Sequence, residues 1–79
     1  MKIQLNLFAT LSRYKPEGGA AEAMTIACEE GLTIRELLVG LGLPMDQVKL
    51  IFVNGVHAQP DAVLKNGDRV GVFPPVGGG

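Results

Sequence analysis

The chain has one cysteine, one histidine, one tyrosine and no tryptophan among its 79 residues. A lone cysteine forms no internal disulfide, and with a single histidine it makes no metal site unless carboxylates converge on it. Neither a disulfide framework nor a bound metal is therefore expected. Charge of one sign is also missing. The formal net charge of -1 provides no basic footprint for nucleic acid or for an anionic membrane surface. No apolar run is long enough to cross a bilayer. The opening M-K-I-Q-L-N-L-F-A-T-L is interrupted by Gln4, Asn6 and Thr10, so it lacks the apolar stretch of a signal peptide. A cytoplasmic protein is expected. Repeats and low-complexity segments are absent outside the last residues.

What is present suffices for a small globule. Apolar residues make up 47% of the chain and charged residues 19%, a composition that folds, and the length allows one domain near the lower limit for a self-sufficient core. Ile3, Leu5 and Leu7 alternate with Lys2, Gln4 and Asn6, the period of a strand buried on one face. The stretch P-E-G-G-A-A-E-A reads as a loop. Met24, Ile26 and Cys28 then alternate with Thr25, Ala27 and Glu29 in a second strand, which places Cys28 on the core side.

The segment L-T-I-R-E-L-L-V-G-L-G-L-P carries helix punctuation at both ends. Thr33 and Glu36 are spaced as N-cap and N3 of a capping box, and Leu32 and Leu37 as a hydrophobic staple. Ile34, Leu37, Leu38 and Leu41 form one apolar stripe. Gly42 supplies a C′ position and Pro44 prevents resumption. In K-L-I-F-V-N-G-V-H-A the pair Asn54-Gly55 predicts a type I′ hairpin, with Val53 opposite Val56 and Phe52 opposite His57. L-K-N-G-D is a second turn, and R-V-G-V-F a last strand ended by Pro74, which cannot donate to a ladder. Two strands, a helix and two or three strands predict an α+β roll: a mixed sheet packed on one main helix, the β-grasp arrangement of ubiquitin-like proteins. The domain is expected over 1–73 and an extended tail over 74–79.

Strand parity divides the sheet into two faces. If Ile51, Val53, Val56 and Ala58 point inward, then Leu50, Phe52 and His57 point outward, with Phe8, Arg69, Gly71 and Phe73 on the same outer side. All three phenylalanines then lie on the face that a single helix leaves bare. Phe8, Leu50, Phe52, His57 and Phe73 are the expected partner-binding set, because an exposed aromatic patch marks a docking surface. Other residues have plainer readings. Cys28 in the core is inert, His57 belongs to no triad or metal set, and Glu29 and Glu30, adjacent on a strand, point to opposite faces and form no catalytic pair.

The tail F-P-P-V-G-G-G carries the chemistry. Pro74 and Pro75 favour extended backbone, so residues 74–79 form a stalk of about 20 Å. Gly77 and Gly78 lack Cβ atoms and fit a narrow tunnel. The reactive group is then the α-carboxylate of Gly79, a poor acyl donor until it is activated, most simply as an acyl adenylate. Such a chain is a substrate or carrier with no active site of its own.

N-G-D-R-V-G-V-F-P-P-V-G-G-G resembles the end of the small subunit of molybdopterin synthase, and the whole chain can be laid on that family's fold. The resemblance to the thiamine-pathway sulfur carrier is weaker, because the F-P-P-V stalk is more typical of the molybdopterin branch. For this family the resemblance implies ATP-dependent adenylation of Gly79 by an enzyme related to ubiquitin-activating enzymes, with no cofactor bound by the carrier itself. It implies sulfur transfer from a donor such as a cysteine desulfurase or rhodanese to give a thiocarboxylate, and delivery to a precursor held by a large synthase subunit. Gly78 completes the diglycine. Gly77 stands where the family often has a side chain, and Val76 belongs to the stalk. Three functions share these features: sulfur carrier for molybdenum cofactor or for thiamine thiazole synthesis, ubiquitin-like modifier of lysines, and plain binding module.

Overall fold

The computed structural model describes residues 1–14 and 24–75. The loop over 16–23 and the tail residues Val76, Gly77, Gly78 and Gly79 lie outside them. Five strands form one mixed sheet: β1 (Lys2–Leu7), β2 (Met24–Ala27), β3 (Leu50–Val53), β4 (Val56–His57) and β5 (Arg69–Phe73). Their order is β2-β1-β5-β3-β4. β1 and β5 run parallel, with Leu5 opposite Val70 and Leu7 opposite Val72, and the other pairs are antiparallel. One helix, α1 (Ile34–Gly40), packs on the sheet. This is a β-grasp roll.

Helix α1 is only seven residues long, too short to be stable alone, and local and tertiary bonds close both its ends. Thr33 Oγ1 accepts from the Glu36 amide at 3.1 Å, and the Thr33 amide donates to Glu36 Oε1 at 2.9 Å, completing the capping box. The first two amides reach outside the helix, Ile34 N donating to Ala62 O and Arg35 N to Pro60 O. At the other end Gly42 has φ 81°. Its amide donates to Val39 O and the Leu43 amide to Leu38 O, the pair of bonds that defines a Schellman stop.

The core lies between the sheet and α1. Ile3, Leu5 and Leu7 of β1 meet Val70 and Val72 of β5, Ile51 of β3, and Ile34, Leu37 and Leu38 of α1. Leu11, Leu43 and Leu64 complete it from connecting segments. Asn54 and Gly55 join β3 to β4 with φ of 53° and 82°, as a type I′ turn requires, and Val53 pairs with Val56 and Phe52 with His57.

Between β1 and the expected loop, Ala9–Tyr14 forms a 3₁₀ turn that the sequence reading left unassigned; it buries Leu11, and the positive φ of Ala9 bends the chain back over the core. Three sequence expectations are corrected. Val56 has inward parity yet is 69% exposed. It sits on a two-residue edge strand outside the core cluster, so parity alone does not bury it. Cys28 faces the core but is only half-buried, because β2 ends at Ala27 and the thiol packs at the rim. Glu29 and Glu30 follow the strand, Glu29 in irregular backbone and Glu30 in the turn with Gly31.

Candidate docking site beside the tail

The face of the sheet opposite α1 carries Lys2, Gln4 and Asn6 from β1, with Phe8 following, Arg69, Gly71 and Phe73 from β5, and Leu50 and Phe52 from β3. The registers set them in rows: Asn6 beside Gly71 beside Phe52, then Phe52 beside His57, and Phe73 beside Leu50. Because β1 and β5 are parallel neighbours, Phe8 and Phe73 leave the sheet together at the end where the tail departs.

There the aromatic rings assemble. Phe8 and Phe73 stack with centroids 4.2 Å apart and planes inclined by 3°. Phe52 meets Phe73 edge-on at 5.8 Å and 89°, and His57 meets Phe52 at 5.7 Å and 72°. Offset and edge-on pairs of this kind favour fixed ring positions. The rings are half-buried, Leu50 is 40% exposed, and His57 is exposed. Phe73 is also held through its backbone, its carbonyl accepting from the Lys49 amide at 2.8 Å. From this fixed residue the chain runs straight into Pro74, half-buried, and Pro75, exposed.

Between the rings and the polar end of β1 lies an open depression of about 420 Å³, lined by Gln4, Asn6, Phe8, Phe52, Gly55, Arg69, Val70, Gly71 and Phe73. The structure thus brings Phe8, Phe52 and Phe73 of the expected set to one depression. It leaves Leu50 beside Phe73 and His57 beside Phe52, both off its walls. Gln4, Asn6, Gly55, Arg69 and Gly71 were not read as site residues. Outward parity of β1 and β5 was the available signal for Gln4, Asn6, Arg69 and Gly71, and the pairing of those two strands makes them neighbours.

Among the described residues no group of three His, Cys, Asp or Glu side chains is placed to hold a metal, and no helix is long and apolar enough to cross a membrane. The one ion pair among them, Arg35 with Asp61, lies on the helix side.

A ubiquitin-like β-grasp domain whose aromatic outer face leads into Pro74 and Pro75 is the class of protein this defines. The profile of the ThiS family matches residues 6–79, and the chain belongs to that family of ubiquitin-like sulfur carriers. No curated protein matches in sequence. Solved structures do. A protein described as a putative molybdopterin converting factor, subunit 1, from Pyrococcus furiosus is 29% identical over 95% of this chain and 98% of its own, with a TM-score of 0.69. SAMP1 from Haloferax volcanii is 22% identical over the full length of both chains, TM-score 0.70. A chain from the complex of subunits 1 and 2 of molybdopterin-converting factor from Helicobacter pylori is 22% identical over both full lengths, TM-score 0.59. The last two share the fold with this chain.

Proposed function

We propose that the chain is the sulfur carrier of molybdopterin synthesis. An activating enzyme of the ubiquitin-activating kind adenylates Gly79: a carboxylate oxygen attacks the α-phosphorus of ATP and pyrophosphate leaves. The terminal sulfur of a persulfide on a donor such as a cysteine desulfurase or rhodanese then attacks the acyl carbon and AMP departs; a thiol reductant cleaves the resulting acyl disulfide, which releases the donor cysteine as a thiol and leaves a thiocarboxylate on Gly79. The sulfur passes to a precursor held by the large synthase subunit, and water restores the Gly79 carboxylate. Phe8, Leu50, Phe52, His57 and Phe73 dock both partners, and residues 74–79 reach into their active sites with Gly77 and Gly78 in the narrowest part. All of this takes place in the cytoplasm.

The observation that carries the reading is the position of Phe73. It is the last strand residue, a member of the ring stack and the immediate predecessor of Pro74, so a partner that grips the rings also fixes the origin of the stalk. The family match running through Gly79 supports the carrier role common to both branches, and the 29% identity to the Pyrococcus furiosus protein described as a putative molybdopterin converting factor, subunit 1 supports the molybdopterin branch.

Intact mass spectrometry after incubation with the activating enzyme, ATP and a sulfur donor tests it. A carrier gains the mass of one oxygen-to-sulfur exchange. A modifier instead yields adducts larger by a whole protein chain, and an unchanged mass points to a binding module.

A further inference from the structure

Most described glycines of this fold have a backbone reason to be glycine: Gly31, Gly42, Gly55 and Gly67 all have φ between 81° and 87°. Gly71 has none. It sits in the middle of β5, paired with Asn6 on one side and Phe52 on the other, with ordinary strand backbone. A Cβ added there would meet only the Phe8 ring at 3.4 Å and the Phe73 ring at 3.8 Å, within ordinary contact distance. Glycine in a strand interior weakens it, and one use for such a position is close approach by another molecule. What its missing side chain leaves is the floor of the depression between the three phenylalanines and Gln4, Asn6 and Arg69.

The charged side chains that line that floor among the described residues have one sign. Arg69 lines the depression and also a smaller adjoining hollow with Lys2, Gln4, Thr25 and Gly67. Among the described residues no carboxylate lines either space. The nearby Asp68 is engaged elsewhere, accepting from Asn54 Nδ2 at 3.0 Å and from the Lys65 amide at 2.8 Å. Neither Lys2 nor Arg69 has an ion-pair partner among the described residues, although the chain as a whole has a net charge of -1.

We propose that the depression over Gly71 receives one apolar side chain of a partner protein, with a neighbouring carboxylate of the same partner pairing with Arg69. The apolar group rests on Gly71 between the Phe8, Phe52 and Phe73 rings. Arg69 is two residues along the same face, about 7 Å away, which matches adjacent or alternate positions of an extended partner segment. The inference deepens the proposed function by naming the chemistry of the surface that the activating enzyme and the large synthase subunit present, and it rests on that reading.

The test is calorimetric titration of the wild-type chain and of Gly71→Ala, Gly71→Val and Arg69→Glu with the activating enzyme and the large synthase subunit of the same organism. Thermal melts run alongside, with mass spectrometric scoring of thiocarboxylate. Filling the floor is expected to weaken binding in a graded way, Val more than Ala, by about tenfold or more for Val, while the melting temperature holds or rises because valine suits a strand. Arg69→Glu is expected to weaken binding similarly, and added salt to weaken the wild type. Wild-type affinity of Gly71→Val or of Arg69→Glu for both partners overturns the proposal and leaves the carrier reading standing if thiocarboxylate still forms. A wild-type chain that binds neither partner and gains no sulfur overturns both. Self-association of the wild type that Gly71→Val abolishes would assign the depression to a second copy and overturn the proposal.

Discussion

The side chain of Asn54 links the tip of the β3–β4 hairpin to the entry of β5: its Nδ2 donates to Asp68 Oδ1 at 3.0 Å, fourteen residues on. Its Oδ1 accepts from the Arg69 amide at 3.0 Å, and its own amide donates to Arg69 O at 2.8 Å. Asn54 therefore does more than tolerate a φ of 53°. It fixes the β3–β5 register that sets Phe52 beside Gly71 and Leu50 beside Phe73. Asn54→Ala loses both side-chain bonds and places a Cβ-bearing residue with no polar handle in a left-handed conformation. A loss of about 1–2 kcal/mol is expected in a urea titration, and a change near zero would show that the hairpin alone sets the register.

Phe73→Ala removes the central ring of the aromatic set, which contacts both Phe8 and Phe52. Binding to the activating enzyme and to the large subunit is expected to weaken by about 2 kcal/mol or more, the scale of a buried aromatic anchor. Calorimetry on a variant shown by circular dichroism to be folded measures this, and wild-type affinity for both partners would place the interface elsewhere.

If the Gly79 carboxylate is the group adenylated, one residue appended after it, or its deletion, abolishes thiocarboxylate formation. The melting temperature stays nearly constant, since the core residues among those described all lie before Pro74. An extended, untrimmed chain that still transfers sulfur would refute the carrier reading.

Thr33→Ala deletes the hydroxyl that accepts from the Glu36 amide. The expected loss is about 1 kcal/mol, usual for such caps, read from the denaturation midpoint at unchanged slope. The Ile34 and Arg35 amides keep their bonds to Ala62 and Pro60, so the helix should shorten little.

Glu36 gives the fold a modest acid sensitivity. The hydrogen bond from the Thr33 backbone amide, and then that from the Thr33 hydroxyl, hold its carboxyl below the ordinary glutamate value. A folded-state value below the unfolded one means that its contribution is complete above the ordinary glutamate range. It is lost as pH falls through the lowered value. Glu36→Gln keeps an acceptor for the capping box, so its stability is expected to fall less between neutral and strongly acidic pH than that of the wild type. Parallel melting curves for the two chains over that range would contradict the assignment.

Much of the fold was legible because its signals are local. The Thr33–Glu36 box, the Gly42 stop and the Asn54-Gly55 turn each depend on a few consecutive dihedrals, and alternation along β1, β3 and β5 dictates which side chains share a face. Parity with the β-grasp strand order also brought Phe8 and Phe73 together before any coordinates. The fate of Val56 was not legible, since burial depends on what covers a face as well as on which face a residue joins. Nor was the 3₁₀ turn that buries Leu11, which follows from a positive φ at a residue that is not glycine.

The sequence by itself determined the strands, the capped helix and the two glycine turns, because propensity, capping and φ preference act over a few bonds. Only the tertiary structure decided that Gly71 forms the floor of a depression with aromatic walls on one side and Arg69 on the other, and that residues 60–62 close the start of α1. Those relations join segments tens of residues apart, and they exist only where the parallel pairing of β1 with β5 and the packing of the helix have set the distances.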